Sequence, residues 1–207
     1  MAVEGPRAAR PDELPGVLDL VNRVFRAGRE PTMGEEFPTL FCPENAPNLR
    51  VIASEGRIIS HIGMVEREVC LQGCRLKVAS IGSVCTDPDH RGRGYATSLL
   101  HDAFEKARGD GCHLALISGS RGLYRRNQCV FVYNFEVWRV RPGKSNKIEV
   151  KEATEDDIPA MSRLYASEPV RFARPLDDWR KFVGALPVKG QRAFLFSKGG
   201  EPLAYGI

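Results

Sequence analysis

The sequence predicts an α/β (α+β) fold, in which helices flank a mixed β-sheet and a partial second unit of the same kind follows. Three observations predict this fold. An apolar, strand-like run over Lys77–Thr86 leads through an arginine- and glycine-rich loop into an amphipathic helix. A second apolar run, His113–Ile117, predicts a buried strand after that helix. The chain also repeats part of its own pattern at an offset of 144 residues.

The other elements of the first unit follow from periodicity and turn residues. In chain order they are a helix over Leu14–Phe25, an irregular segment at Pro31–Pro47, hairpin turns at Glu55-Gly56 and Gln72-Gly73, a helix with Leu99, Leu100, Ala103, Phe104 and Ala107 on one face, a short helix at Leu123-Tyr124, and one or two closing strands over Val130–Val140. A strand pair, a helix and further strands in this order favour a mixed sheet over an all-helical or all-β fold.

Composition excludes several classes of protein. The 207 residues are 43% hydrophobic and 27% charged, with a net charge of +4. No apolar run is long enough to cross a bilayer and the N-terminus lacks the apolar core of a signal peptide, so we expect a cytoplasmic protein with no membrane partner. The mild charge, with one local cluster at Arg121, Arg125 and Arg126, argues against a nucleic-acid partner.

The cysteine pattern argues against a metal site. The six cysteines contain no C-x-x-C pair. A zinc site would need a second close pair of cysteine or histidine residues, which the sequence does not offer. We therefore expect no metal and free thiols in a reducing compartment.

The repeat joins two helix–hairpin segments. Ala9–Leu20 and Ala153–Leu164 share their aspartate and proline spacing, and 153 − 9 = 144. The hairpin glycines Gly56 and Gly200 keep the same offset, since 200 − 56 = 144. We expect a second copy of the first unit's beginning, with two unrelated helix–hairpin units as the alternative. Because Ile207 corresponds to Gly63, these residues should hold a single copy of the glycine loop.

Residues 142–147 form a polar stretch rich in glycine, serine and asparagine and without periodicity. This stretch predicts a linker between a first domain at residues 1–141 and a partial second domain at residues 148–207. Whether these residues are a fragment of a longer tandem protein, and whether the chain forms a homo-oligomer, stays open.

The glycine loop lies within V-C-T-D-P-D-H-R-G-R-G-Y-A, residues Val84–Ala96. The first N–H groups of the following helix are unpaired and lie at the positive end of its dipole, which favours an anion there. Gly92 and Gly94 allow an anion to approach the backbone, and Arg91 and Arg93 add positive charge. The loop therefore predicts a phosphate-binding site.

Two common nucleotide loops do not fit. No P-loop lysine follows Gly94, and Thr97 stands where a dinucleotide loop needs its third glycine. The pattern R-x-x-G-x-A, from Arg91 to Ala96, instead resembles the coenzyme A pyrophosphate loop of the Gcn5-related N-acetyltransferase (GNAT) superfamily. The resemblance implies acetyl-coenzyme A as co-substrate, bound by Val84, Cys85, Thr86, Arg91, Gly92, Arg93, Gly94, Tyr95, Ala96 and Thr97.

A second motif supports the same family. Leu123-Tyr124 matches the first two positions of L-Y-x-x-x-G-F, which lies on a short helix in GNAT proteins. The resemblance implies that Tyr124 lies beside the coenzyme A sulfur and protonates the leaving thiolate. The sequence departs from the motif at Gln128 and Cys129, where glycine and phenylalanine are usual, and this puts the orientation of Tyr124 in doubt.

Together with the repeat, these motifs resemble the N-terminal part of tandem GNAT proteins of the enhanced-intracellular-survival type. The resemblance implies an active first domain, followed by a GNAT-like domain without a working cofactor site. It implies transfer of an acetyl group to a primary amine, small molecule or peptide, by direct attack in a ternary complex. Backbone N–H groups of Val84–Thr86 would stabilise the thioester oxygen.

The sequence leaves the amine and several mechanistic choices open. Candidate bases for the amine are Glu66, Glu68, Glu35 and Glu36, and more weakly His61 and His90. Cys85 raises the alternative of a covalent acyl-enzyme. A catalytically weak acyl-coenzyme A sensor, an interaction module with a purely structural loop, and a different acyl donor are further alternatives.

Overall fold

The computed structural model describes residues 2–132, 147–180, 183 and 192–207. The chain divides into two compact units. Unit 1 comprises residues 1–68 and 76–131, and unit 2 comprises residues 69–75 and 132–207. The predicted linker at residues 142–147 lies outside the described residues except for Lys147, so the predicted domain boundary stays a prediction.

Unit 1 is built on a mixed sheet in the order β1-β2-β3-β4-β5. The strands are β1 (Val3–Ala8), β2 (Leu49–Ser54), β3 (Arg57–Leu71), β4 (Cys74–Thr86) and β5 (Leu114–Ile117). Strands β1–β2 and β2–β3 pair antiparallel, whereas β4 and β5 pair parallel. The two predicted hairpin turns form, with left-handed backbone at Glu55, Gly56, Gln72 and Gly73. The prediction of a mixed sheet is thus confirmed.

Helices flank this sheet, as expected. They are α1 (Leu14–Phe25), α2 (Met33–Glu36), α3 (Tyr95–Gly109) and α4 (Gly122–Arg126). Helix α1 buries Val17, Leu20 and Val21 in a core cluster with β2, because these side chains share one helical face. Helix α3 buries Leu99, Leu100, Ala103 and Ala107 in a second cluster with β3 and β4.

The pairing of the parallel strands β4 and β5 ends at Ile81 and Ile117. Pairing runs from Val78–Leu114 to Ile81–Ile117, and the last hydrogen bond joins the Ser118 N–H to the Ile81 carbonyl at 3.1 Å. Two residues later Ser83 takes a left-handed φ of 53°, which is rare for a residue with a side chain. Beyond this kink the backbone groups of β4 have no registered partner on β5. An opening between two parallel strands therefore begins beside Val84.

Three predictions for unit 1 need correction. The segment predicted as irregular contains the short helix α2 and a 3-10 helix at Pro43–Asn48. The strand predicted as buried forms, but Leu114 and Leu116 are 49% and 44% exposed, because β5 is the last strand of the described sheet. Residues 130–132 of the predicted closing strands are not in a strand, and residues 133–140 lie outside the described residues.

Unit 2 contains strands β6 (Glu149–Glu152), β7 (Val170–Phe172), β8 (Phe194–Lys198) and β9 (Glu201–Gly206), with helices α5 (Ile158–Ala166) and α6 (Leu176–Arg180). Strands β6, β8 and β9 form an antiparallel sheet. Strand β7 pairs with Val69–Leu71, the part of β3 that clusters with this unit. Its core packs Met161, Trp179 and Leu195.

The repeat predicted from the sequence extends to the register of the strands. In unit 1 Arg7 pairs with Val51 and Val51 with His61. In unit 2 Lys151 pairs with Leu195 and Leu195 with Tyr205, which are the same positions shifted by 144. A 3-10 helix precedes the main helix at Pro11–Glu13 and again at Glu155–Asp157. Unit 2 therefore repeats the strand register and the helix start of unit 1 at the offset of 144 residues. That residues 148–207 form a partial second domain stays a prediction.

No helix among the described residues is long and apolar enough to span a membrane. Within the same residues, no group of three or more histidine, cysteine, aspartate or glutamate side chains could hold a metal ion. All six cysteines are free.

Candidate functional site

The glycine loop forms an open cradle at the start of α3. A 3-10 helix over Pro88–His90 leads into it, and Gly92 and Gly94 have φ values of 77° and 78°. A Cβ atom built on either glycine would meet no atom within 4 Å, so the space above the loop is empty. Gly94 is the N-cap of the 15-residue helix α3. The first N–H groups of α3, from Tyr95 onward, are therefore free to bind an anion.

The two loop arginines are available for such an anion. Arg91 and Arg93 are exposed, and in the described part of the chain neither forms an ion pair with a carboxylate. The Arg91 Nε atom donates to the Thr86 carbonyl oxygen at 3.3 Å, which holds this side chain against the end of β4. The residues predicted to bind the phosphates, from Arg91 to Thr97, thus lie together on one continuous surface.

Asp87 fixes the glycine loop to neighbouring elements of the fold. Its buried carboxylate accepts hydrogen bonds from Arg23 at 2.9 Å, from Arg57 at 3.2 Å and from the Asp89 N–H at 3.1 Å. Burial alone would raise the pKa of Asp87, yet the Arg23 guanidinium and the other donors outweigh it and lower the pKa. The carboxylate is therefore ionised at neutral pH, and it ties the loop to α1 and to the start of β3.

The end of β4 leads from the strand opening to the loop. Val84 and Cys85 are buried on opposite faces of the sheet, and Thr86 is half-buried. The Ser60 hydroxyl of β3 donates to the Cys85 carbonyl at 3.1 Å and lies 2.8 Å from the Thr86 hydroxyl. These bonds fix the backbone of the segment that was predicted to face the thioester.

Cys85 is a poor nucleophile in this position. Burial raises the pKa of its thiol to about 12, and the positive charges of Arg121, Arg23 and Arg91 offset this only in part. Since the thiolate is the reactive form, almost none would be present at neutral pH. The environment therefore argues against the covalent acyl-enzyme.

Tyr124 lies on α4 and is only 6% exposed. Burial raises the pKa of its phenol, while the Arg121 charge opposes the shift, so the hydroxyl stays protonated at neutral pH. A Cβ atom at Gly119 would come within 2.9 Å of the Tyr124 ring and 3.4 Å of its hydroxyl oxygen. Gly119 thus lets the phenol pack directly against the backbone that follows β5.

The departure from the family motif after Tyr124 has a structural solution. Gln128 takes a left-handed φ of 61°, the conformation for which glycine is usual. The N–H groups of Asn127 and Cys129 both donate to the Tyr124 carbonyl, at 3.0 and 3.1 Å. The turn therefore closes without glycine, and Tyr124 remains fixed on the short helix.

Three of the four candidate carboxylates lie far from the glycine loop or already interact with a cation. Glu66 forms an ion pair with Lys77 at 2.5 Å. Lys77 lies seven residues before Val84 on the same strand, a separation of roughly 23 Å. Glu68 lies further along β3, away from the loop. The Arg26 guanidinium and the Thr32 hydroxyl lower the pKa of Glu36, which makes it a weak base.

The two candidate histidines differ in their surroundings, and His61 is not a suitable base. The His90 Nδ1 atom faces the Asp87 carboxylate at 3.5 Å. His61 is fully buried on β3, where desolvation lowers the pKa of its imidazole to about 3 and the backbone of Arg50 opposes this only in part. Glu35, which is exposed on α2, is the remaining carboxylate among the candidates.

The burial of His61 predicts a loss of stability in acid. The unfolded chain takes up a proton at the ordinary pKa of about 6.5, whereas the folded chain does not until pH falls to about 3. Between these values the folded state loses about 1.4 kcal/mol for each pH unit. We expect urea unfolding to show about 2 kcal/mol of this loss between pH 6.5 and pH 5.

His61→Leu is the matching variant, because it fills the buried position with an apolar side chain and removes the proton acceptor. The loss over this interval should then be smaller by that amount than in the parent chain. Equal slopes in the two chains would show that His61 does not take part.

Sequence patterns missed three features of this site. The sequence analysis gives Asp87 no role, although its Asp-Pro context before a basic loop could have suggested a buried cap. Arg121 was noted only as part of a basic cluster, yet its Nη1 atom donates to the Val84 carbonyl at 3.3 Å. The left-handed Ser83 had no signal in the sequence, because serine is not a residue that favours this conformation.

Comparison with known proteins agrees with this geometry. A family model described as an acetyltransferase (GNAT) domain matches residues 6–130, more than half of the chain. Among curated proteins, none matches the sequence.

Solved structures share the fold. A probable N-acyltransferase from Enterococcus faecalis V583 is 16% identical, with a TM-score of 0.70 over 99% of this chain and 54% of its own. Eis1 from Mycobacterium abscessus is 15% identical, with a TM-score of 0.63 over 96% of this chain and 52% of its own. The chain thus spans about half the length of these two proteins.

A GNAT family acetyltransferase from Brucella melitensis, solved in complex with acetyl-coenzyme A, is 23% identical and has a TM-score of 0.50. The match covers 61% of this chain and 80% of the Brucella melitensis chain. At these identities the solved structures show a common fold, while the family model covers both the glycine loop and Tyr124. The chain therefore belongs to the GNAT acetyltransferase family.

Proposed function

We propose that this protein transfers an acetyl group from acetyl-coenzyme A to a primary amine by direct attack in a ternary complex. One observation carries the proposal. The open glycine loop and the buried Tyr124 lie at the two sides of the opening that begins where β4 and β5 separate. A phosphate cradle at one end and a protonated phenol at the other suit a long thioester cofactor.

The residues present fit acetyl-coenzyme A. Arg91, Arg93 and the first N–H groups of α3 would hold the pyrophosphate, with Gly92 and Gly94 leaving room for it. The backbone of Val84–Thr86 has no registered partner on β5, so this side of β4 resembles a sheet edge along which an extended amide chain can pair. Bound there, acetyl-coenzyme A supplies an activated acyl carbon and a sulfur leaving group.

The protein's own groups then have separate tasks. Backbone N–H groups near Val84 would stabilise the negative charge that develops on the acyl oxygen. Tyr124 would donate its phenolic proton to the leaving sulfur. The amine must lose a proton, which at pH 7 costs about 4–5 kcal/mol for an ordinary pKa near 10.4. With the carboxylates on β3 paired or distant, this proton would leave through water or through Glu35.

The experiment that tests the function has two readings. The thermal shift with coenzyme A reports binding, and release of free thiol from acetyl-coenzyme A with a panel of primary amines reports transfer. We expect both signals. A thermal shift without thiol release for any amine would favour the acyl-coenzyme A sensor, and the absence of both would favour an interaction module with a structural loop.

Six free cysteines are usual for a reducing compartment, which supports a cytoplasmic location. The acceptor is a small-molecule or peptide amine, and the panel should contain both kinds.

A further inference from the structure

Arg121 connects the two sides of the strand opening. It is the N-cap residue of α4, and its Nη1 atom donates to the Val84 carbonyl at 3.3 Å. Its own carbonyl accepts the Tyr124 N–H at 3.1 Å, so the side chain that reaches β4 starts one helical turn from the phenol. The guanidinium is therefore held at Val84, and its charge acts on the Tyr124 phenol.

No carboxylate among the residues that the structure describes pairs with Arg121. Arg26 and Arg50, which are partly buried, pair with Glu36 and Asp102, whereas Arg121 is exposed. In the parts of the chain that the structure describes, Arg121 contacts only a neutral carbonyl at the long end of the hydrogen-bond range. A guanidinium with this weak bond can exchange it for a stronger charge-assisted bond at little cost.

Two other cations lie along β4 and its loop, but they have different tasks. Arg23 pairs with Asp19 and Asp87, and Arg91 lies at the phosphate loop, where it donates to the Thr86 carbonyl. The neighbouring Tyr124 and Cys85 are neutral at pH 7, since burial raises the pKa of both, and the Arg121 charge opposes the shift at each of them. Within the described residues, Arg121 is thus a cation without a carboxylate partner that bonds to β4 near the Tyr124 end of the opening.

We propose that Arg121 stabilises the negative charge on the leaving sulfur of coenzyme A before Tyr124 protonates it. This inference rests on the proposed function. In the step itself the amine nitrogen forms a bond to the acyl carbon, and the carbon–sulfur bond breaks with its electron pair going to sulfur. The sulfur then takes the Tyr124 proton, while the amine proton leaves to water or a base. Arg121 would change partner from the Val84 carbonyl to this sulfur.

The test measures the pKa of the coenzyme A thiol bound to the protein, from the ultraviolet absorbance of the thiolate during a pH titration. The same titration with desulfo-coenzyme A removes the signal of the protein's own cysteines and tyrosines. The variants are Arg121→Gln and Arg121→Lys. Arg125→Gln is the matched control, because Arg125 is an exposed arginine on the same helix and forms no bond to β4 within the described residues.

We expect the bound thiol of the parent protein to have a lower pKa than free coenzyme A. Arg121→Gln should raise this pKa by about one unit and lower kcat about tenfold, with little change in KM for acetyl-coenzyme A. Arg121→Lys should keep part of the effect, and Arg125→Gln should leave the pKa of the thiol unchanged. A merely structural role of Arg121 would move the melting temperature but not the pKa of the bound thiol.

Two outcomes would overturn the inference separately from the proposed function. If coenzyme A binds and turnover proceeds, but Arg121→Gln leaves the pKa of the bound thiol unchanged, Arg121 has no role at the sulfur. The same conclusion follows if Arg125→Gln shifts the pKa as much. If coenzyme A does not bind to the parent protein, the proposed function fails and this inference fails with it.

Discussion

Tyr124→Phe is expected to lower kcat by 10²-fold or more (about the contribution of a well-placed general acid) while leaving the affinity for acetyl-coenzyme A close to that of the parent. The phenylalanine ring fills the same buried space against Gly119 and keeps the packing of α4. Only the phenolic hydroxyl group is lost, and with it the proton that it would donate. The interaction removed is therefore one made in the transition state. Steady-state kinetics with saturating amine measure kcat, and calorimetry measures the cofactor affinity.

Tyr205→Phe is the control for this variant. Tyr205 is a partly buried tyrosine of unit 2 with a raised pKa, also caused first by burial, and it packs beside Trp179. Loss of its hydroxyl should leave kcat unchanged. An unchanged kcat in Tyr124→Phe would reject Tyr124 as the acid. A parallel fall in kcat and cofactor affinity would instead point to a role in binding.

The parts of the site that the sequence predicts are those encoded by neighbouring residues. The loop from Arg91 to Ala96 and the helix that follows are specified locally, by glycines at left-handed positions and by an apolar stripe. The repeat was also readable, because both copies preserve the same helix start and hairpin turn. The structure extends this repeat to the paired residues of β6, β8 and β9, shifted by 144 positions.

The parts that the sequence does not predict depend on distant residues. Arg23 reaches Asp87 across 64 positions, and Arg121 reaches Val84 across 37. No local pattern specifies such pairs, because each arginine has several carboxylates and carbonyls within reach of its length. The exposure of β5 was mispredicted for a related reason, since an apolar run has the same pattern whether or not another element covers it.

Gly94→Glu is expected to abolish coenzyme A binding. At φ 78° any side chain costs about 1–2 kcal/mol of backbone strain. A carboxylate about 4 Å from a phosphate adds repulsion of about 1–4 kcal/mol for each pair of charges. Since every 1.4 kcal/mol is tenfold, the dissociation constant should rise by about 10²-fold or more. Calorimetric titration with coenzyme A measures this directly.

Gly111→Glu is the control that distinguishes a loss of coenzyme A binding at the loop from a general effect of backbone strain. Gly111 has φ 77°, and a Cβ atom there also meets nothing within 4 Å. It lies just beyond the other end of α3, about 22 Å from Gly94 along the helix. Both variants introduce the same charge into nearly the same backbone conformation, so their melting temperatures should fall by similar amounts. Only Gly94→Glu should lose the cofactor.

Gly94→Ala then distinguishes the effect of backbone strain at the loop from the effect of the added charge. The methyl group carries the backbone strain without the charge, so it should weaken binding less than glutamate does. If Gly94→Glu still binds coenzyme A as well as Gly111→Glu, the loop is not the phosphate site. The open space above Gly92 and Gly94 would then need another explanation, because a purely structural turn does not require two exposed arginines without carboxylate partners beside an uncovered helix start.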